Sequence, residues 1–186
     1  MATAGVLGFV GLGVMGEPMC RNLARKSGAT VVAFDERPAQ LSAVAADGVQ
    51  AATSVAEVEH RAEIVFLCLP GEPQVRAVCL SGGAGGGLAA LVEPGQTVVD
   101  VSTCPVELGR ELDQTFGARG AAFADAPIAR TAQAARDGTL SIMVGAEPAL
   151  FARLRPFLGC MGSEVTHCGG VGAGQAVKLM NNMVVA

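Results

Sequence analysis

Short apolar runs recur along the chain, separated by longer amphipathic or alanine-rich stretches. The runs fall at Val6–Val10, Thr30–Phe34, Glu63–Leu69, Thr97–Val101 and Ala121–Asp125, with shorter ones at Ser141–Val144 and Glu164–Thr166. Between them lie Glu17–Lys26, Ala39–Ala46, Pro73–Cys79, Pro105–Phe116, Thr131–Arg136 and Pro148–Phe157. Apolar runs of about 4–8 residues alternating with stretches of about 8–12 predict βαβ units. The expected fold class is therefore α/β: a doubly wound, mainly parallel sheet with helices on both faces and right-handed crossovers. Pro73, Pro105 and Pro148 stand where a first helical turn tolerates proline, and Ser54, Thr103 and Glu147 are helix start signals. The stretch Gly82-Gly83-Ala84-Gly85-Gly86-Gly87 predicts a mobile surface loop ahead of Leu88–Val92. Gln175–Ala186 is helical in pattern and apolar on most of its surface, through Val177, Leu179, Met180, Met183, Val184 and Val185. Such a helix wants partners on several sides. The chain is thus expected to stop inside a long helix whose partner domain is absent or supplied by another chain.

Composition narrows the class. With 186 residues, 51% of them hydrophobic and 16% charged, the chain can bury a core of its own, and global disorder is excluded. The net charge of −4 argues against a nucleic-acid partner held by a basic surface. The mean hydropathy of +0.44 raises the question of a membrane. The longest charge-free stretches, Met1–Gly16 and Ala77–Val92, fall short of the roughly 18–20 apolar residues a span needs. No membrane partner is expected, and Met1–Gly16 lacks the basic start of a signal peptide. The 6 cysteines form no C-x-x-C pair and only 2 histidines accompany them, so no metal site is expected. Free, mostly buried thiols in a reducing cytoplasm are the simpler reading.

Gly11-Leu12-Gly13-Val14-Met15-Gly16 follows the first apolar run and opens a helical stretch. That context turns a G-x-G-x-x-G string into a dinucleotide-binding fingerprint of the Rossmann type. Gly11 permits the tight turn, Gly13 lets the backbone approach a pyrophosphate, and Gly16 lets helix and strand pack closely. The helix N-terminus then offers free N–H groups and partial positive charge to the phosphates. Asp35 ends the second run close to the spacing of about 20 residues expected of the carboxylate that holds the adenosine ribose. Its charge repels a 2′-phosphate, which favours NAD over NADP. Arg37, next to Glu36 in the same loop, could hold that phosphate if Asp35 turned away. In the apolar terminal stretch Lys178 is the one lysine. Burial lowers a lysine's pKa toward neutrality. Asn182, four residues on, faces the same way.

These motifs make the chain recognisable. Gly11–Met19 with Asn22-Leu23, Leu69-Pro70, Asp100-Val101-Ser102-Thr103, Asp125-Ala126-Pro127, Gly138-Thr139-Leu140 and Gly172–Asn182 occur in the order of a known signature. The sequence resembles the β-hydroxyacid dehydrogenase family, which includes 3-hydroxyisobutyrate dehydrogenases and tartronate semialdehyde reductases and is related to 6-phosphogluconate dehydrogenases. The resemblance implies that Lys178 is the general acid/base and that Asn182 holds substrate. It implies that Leu69 and Pro70 line the nicotinamide half of the cofactor site, with Thr103 close to the ring and the substrate. It divides the chain into a dinucleotide-binding domain over residues 1–168 and the start of an interdomain helix over 169–186. A further all-helical domain would follow, completing the pocket and much of a dimer interface, so a homo-oligomer is expected of the full-length protein.

One loop departs from the pattern. Family members usually carry Ser-Gly-Gly after Asp-Ala-Pro-Val, where this chain reads Asp125-Ala126-Pro127-Ile128-Ala129-Arg130-Thr131. Ala129 replaces the serine and Arg130 a glycine. A guanidinium is a planar donor fork suited to carboxylate, sulfonate or phosphate. The Arg130-Thr131 pair is similar to that of sulfolactaldehyde reductases of the family. Ala129, Arg130 and Thr131 are therefore candidate substrate-binding residues, and the expected substrate is a small acid with a strong anionic head group. Alternatively Arg130 points to solvent or pairs with Asp125 or Asp137, and Thr103 is only a helix cap. The expected function is hydride transfer between NAD, with NADP as the alternative, and a small β-hydroxyacid or its semialdehyde. The alternatives are a catalytically incomplete NAD-binding module and an imine or pyrroline reductase relative, the latter disfavoured by Lys178 with Asn182.

Overall fold

A computed structural model describes residues 5–81 and 87–185. The loop expected at Gly82–Gly86 lies outside the described residues. The chain begins β1 (Val6–Val10), α1 (Gly16–Lys26), β2 (Thr30–Phe34), α2 (Pro38–Val44), β3 (Gln50–Ala51), α3 (Val55–Arg61) and β4 (Ile64–Leu67). It continues through α4 (Glu72–Leu80), α5 (Leu88–Leu91), β5 (Thr97–Asp100), α6 (Val106–Gly117), β6 (Ala122–Asp125) and β7 (Ile128–Ala129). The last elements are α7 (Ala132–Asp137), β8 (Leu140–Gly145), α8 (Pro148–Met161), β9 (Gly162–Gly169) and α9 (Ala173–Val185).

The strands form one sheet in the order β3-β2-β1-β4-β5-β6-β8-β7, with β9 added beside β8. The six strands from β3 to β6 are parallel, in register Val6↔Thr30 between β1 and β2 and Leu7↔Ile64 between β1 and β4. The chain winds outward from β1 through β2 to β3, then returns to start β4 on the other side of β1. That return makes the β1/β4 boundary the switch point, where open parallel sheets hold ligands beyond the carboxyl ends of their strands.

Side chains alternate between the faces with the period of two that strands impose. Leu7, Phe9, Ile64, Phe66, Val99 and Val101 pack with Met19 and Leu23 of α1 and with Leu154 and Leu158 of α8. Val10, Val65, Leu67 and Val98 enter a separate core with Val58 of α3, Val75 of α4, and Leu108, Leu112 and Phe116 of α6. Phe9 stacks on Phe66 at 6.3 Å between centroids, and Phe116 on Phe123 at 5.9 Å. Among the described residues no helix is long and apolar enough to cross a membrane.

The expected α/β class and mainly parallel sheet stand, with local corrections. β8 runs antiparallel to both β6 and β7. β9 is 8 residues long, more than twice its apolar run, because its solvent face is polar. Thr103 starts no helix: α6 begins at Val106, after Pro105 with extended backbone (φ −58°, ψ 146°). The Ser54 signal holds, since its side chain accepts the Glu57 N–H at 3.1 Å and caps α3.

Candidate active site

The turn between β1 and α1 stands at the switch point. Gly11 has φ +95°, and its N–H donates to the Phe34 carbonyl at 3.0 Å, which draws the turn against β2. A Cβ on Gly16 would strike the Gly11 carbonyl oxygen, so α1 can begin this close to the turn only with glycine there. A Cβ on Gly13 would meet nothing within 4 Å: its backbone faces open space. The first turn of α1 has no side-chain cap; the Glu17 N–H bonds the Gly13 carbonyl at 3.0 Å and Pro18 carries no N–H, so the Gly16 N–H is what this turn can offer an anion. The Leu12 side chain is buried in the core instead of facing the opening.

Asp35 closes the turn from β2. It accepts the Leu12 N–H at 2.7 Å, the Arg37 N–H at 2.9 Å and the Arg37 Nε at 3.0 Å. Burial alone would raise this carboxyl. The Arg37 side chain and the two backbone donors outweigh it and hold Asp35 below the ordinary carboxylate range. Arg37 is therefore engaged with Asp35, although 60% of its side chain is exposed.

A cavity of about 800 Å³ opens above these groups. It is lined by Gly11, Gly13, Val14, Met15, Gly16, Asp35, Glu36 and Arg37 on one side, and by Leu69, Pro70, Thr103 and Arg130 toward the other. The sequence had singled out all of these. The lining also includes Val55 and Val78, which resemble ordinary core positions in the sequence, and Gln74, Ser102 and Ile128, none of them among the candidate site residues. Ser102 joins two loops of the site: its Oγ accepts the Leu69 N–H at 2.9 Å, and its own N–H donates to Asp100 Oδ1 at 2.9 Å. Burial pushes the Asp100 carboxyl up to about 6, against the pull of those Ser102 bonds.

Arg130 has φ +88°, the one described non-glycine residue in the left-handed region. Its guanidinium donates to the Thr139 carbonyl at 2.9 Å and pairs with Glu164 of β9 at 2.5 Å. The expected alternative pairing with Asp125 or Asp137 is thus corrected: the hairpin of β7 and β8 brings β9 alongside the loop, and with it Glu164. Ala129 pairs with Ser141 in that hairpin, and Thr131 caps α7 by accepting the Ala134 N–H at 3.3 Å. Neither lines the cavity.

Lys178 and Asn182 ride on α9, the lysine half-buried and the asparagine exposed. Neither is among the residues lining the cavity. Burial lowers the Lys178 pKa from its ordinary value. The helix that carries both is anchored by Asp125 at the end of β6. This fully buried carboxylate accepts the Gly172 N–H at 2.6 Å and the Gln175 N–H at 2.7 Å.

Known proteins resemble this chain in sequence and fold. A family model described as the NAD binding domain of 6-phosphogluconate dehydrogenase matches residues 6–170. The chain is 38% identical over 179 residues to 2-(hydroxymethyl)glutarate dehydrogenase of Eubacterium barkeri, covering 96% of this chain and 58% of that protein. The solved structure of Mycobacterium tuberculosis 3-hydroxyisobutyrate dehydrogenase with L-serine superposes with a TM-score of 0.88 at 34% identity, covering 98% of this chain and 60% of that one. An imine reductase from Myxococcus stipitatus in complex with NADP+ gives a TM-score of 0.85 at 21% identity over 97% of this chain and 61% of that one, a likeness of fold alone. The chain spans little more than half the length of the curated relatives it matches. Over residues 6–170 the chain belongs to the family of the NAD binding domain of 6-phosphogluconate dehydrogenase, and its relatives include hydroxyacid dehydrogenases.

Proposed function

We propose that the protein is an NAD-dependent oxidoreductase acting on a small β-hydroxyacid or its semialdehyde, with an anionic head group held by Arg130. One observation carries this reading: the glycine turn at the uncapped start of α1, Asp35 and Arg130 all line one cavity at the switch point. Gly11–Gly16 would hold the pyrophosphate, with Asp35, Glu36 and Arg37 around the adenosine ribose. Leu69, Pro70 and Thr103 would line the nicotinamide half. When bound, the cofactor supplies the hydride acceptor or donor, and the protein supplies position and electrostatics. Lys178, its charged form disfavoured by burial, would release or take up the substrate hydroxyl proton at Nζ. Asn182, Ala129 and Thr131 would shape the substrate side. Residues 1–168 would form the dinucleotide-binding domain, and 169–186 the start of an interdomain helix leading to a further helical domain in a homo-oligomer. Free thiols that are buried or half-buried suit a reducing compartment such as the cytoplasm.

The test is calorimetric titration with NAD and with NADP. NAD is expected to bind at least about 10-fold tighter, a difference of about 1.4 kcal/mol. Binding of neither would overturn the reading. A second reading, a dinucleotide-binding module without turnover, rests on Lys178 and Asn182 standing outside the cavity lining. It predicts NAD binding with no hydride transfer to any small β-hydroxyacid.

A further inference from the structure

Gln175 sits in the first turn of α9 and is 1% exposed. Among the described residues it has three bonds to elsewhere in the chain, and they reach two separate segments. Its backbone N–H donates to Asp125 Oδ2 at 2.7 Å, which seats the helix on the end of β6. Its side-chain Oε1 accepts the Cys104 N–H at 3.1 Å, and its Nε2 donates to the Ser102 carbonyl at 2.7 Å. The carboxamide therefore grips the loop after β5 from both sides of Thr103. That loop in turn holds the loop after β4, since Ser102 Oγ accepts the Leu69 N–H at 2.9 Å. Lys178 follows Gln175 by one turn of the same helix, on the neighbouring i+3 position.

A buried amide of this kind is costly to leave unpaired, so its bonds fix the relative placement of the segments they join. A carboxylate of similar shape could not replace it, because the Ser102 carbonyl needs a donor and the Cys104 N–H an acceptor. A methionine would fill the same volume and supply neither strong group.

We infer that Gln175 is a positioning residue, whose carboxamide locks the helix carrying Lys178 to the Ser102–Cys104 loop and, through Ser102, to the Leu69 loop. The inference rests on the proposed roles of Lys178 and of those loops. In that reading the proton-handling amine and the wall of the nicotinamide half belong to different elements, and this side chain bonds the one to the other.

The experiment compares the wild-type chain with Gln175→Met, after circular dichroism has shown that the variant folds. Amide hydrogen exchange is followed at Cys104 and Leu69. Lys178 acylation by a small anhydride is followed against pH by mass spectrometry. Exchange at Cys104 is expected to accelerate by about 10-fold, the loss of one ordinary hydrogen bond. The midpoint of Lys178 acylation is expected to move up toward that of an exposed lysine as the helix loosens. Faster exchange at Cys104 with an unmoved Lys178 profile would make Gln175 a tie within the loop only and overturn the proposal, as would no change in either. If the variant does not fold, native-state exchange of the wild-type chain in rising denaturant decides the matter. Cys104 and the Gln175 amide are then expected to open together with one denaturant dependence, and two distinct openings would overturn the proposal. Neither readout needs cofactor. A wild-type chain that gives no heat with NAD would sink the cofactor reading while leaving these measurements intact.

Discussion

Arg130 carries two opposed demands. Its left-handed backbone costs a non-glycine residue roughly 1–2 kcal/mol. Its ion pair with Glu164 leaves 41% and 58% of the two side chains exposed and returns at most about 1 kcal/mol. Arg130→Gly is therefore expected to stabilise the fold by up to about 1 kcal/mol in a denaturant melt and to weaken binding of a small sulfonate or carboxylate at least about 10-fold. Glu164→Ala, by contrast, removes that acceptor from the guanidinium and should tighten that binding. Asp100 makes a different test. Its ordinary value is 3.8 and burial carries it to about 6, so between those values the native state holds more protons than the unfolded one. Stability contributed at this site then falls as pH rises through that window and levels off above it. Asp100→Asn keeps an acceptor for the Ser102 N–H and removes the ionisation. Urea melts from about pH 4 to about pH 7 should show the variant gaining on the wild type as pH rises, by up to about 3 kcal/mol. A constant difference across that range would contradict the assignment.

At the scale of elements, the parallel strands and their covering helices were legible because each repeats its pattern over several residues. The two-residue strands β3 and β7 were not, since a period of two needs a longer run to declare itself. α3 announced its start through Ser54 but too little apolar periodicity to mark its span. Ser54→Ala is expected to cost about 1 kcal/mol, the loss of one helix cap, and Thr131→Ala a similar amount at α7, both read from thermal or urea unfolding. The site divides in the same way. Gly11–Gly16 and Asp35 were readable because their chemistry is local to one turn and one spacing. Ser102 and Gln175 were not, because their roles are hydrogen bonds to backbone atoms that only the fold brings near. The partner of Arg130 was misjudged for the same reason: Glu164 arrives through the antiparallel reversal at β8, which no run of apolar residues encodes.

At the scale of the molecule, ligand binding and stability are one measurement. A dinucleotide that binds only the native state should raise the unfolding free energy by about 2.7 kcal/mol at 100 times its dissociation constant. A melt that does not shift with NAD concentration would contradict binding at the switch point. The sheet also divides the interior: one apolar cluster lies under α1 and α8, the other under α3, α4 and α6, with the strands between them. Truncations such as Phe9→Ala and Phe116→Ala, one in each cluster, are therefore expected to add within about 0.5 kcal/mol, whereas Phe9→Ala with Phe66→Ala should not. That separation gives the chain two compartments of mutational tolerance. A lineage can drift in the residues beneath one layer of helices while the opposite layer stays as it was. Compensating changes are then to be sought on the same side of the sheet as the change they rescue.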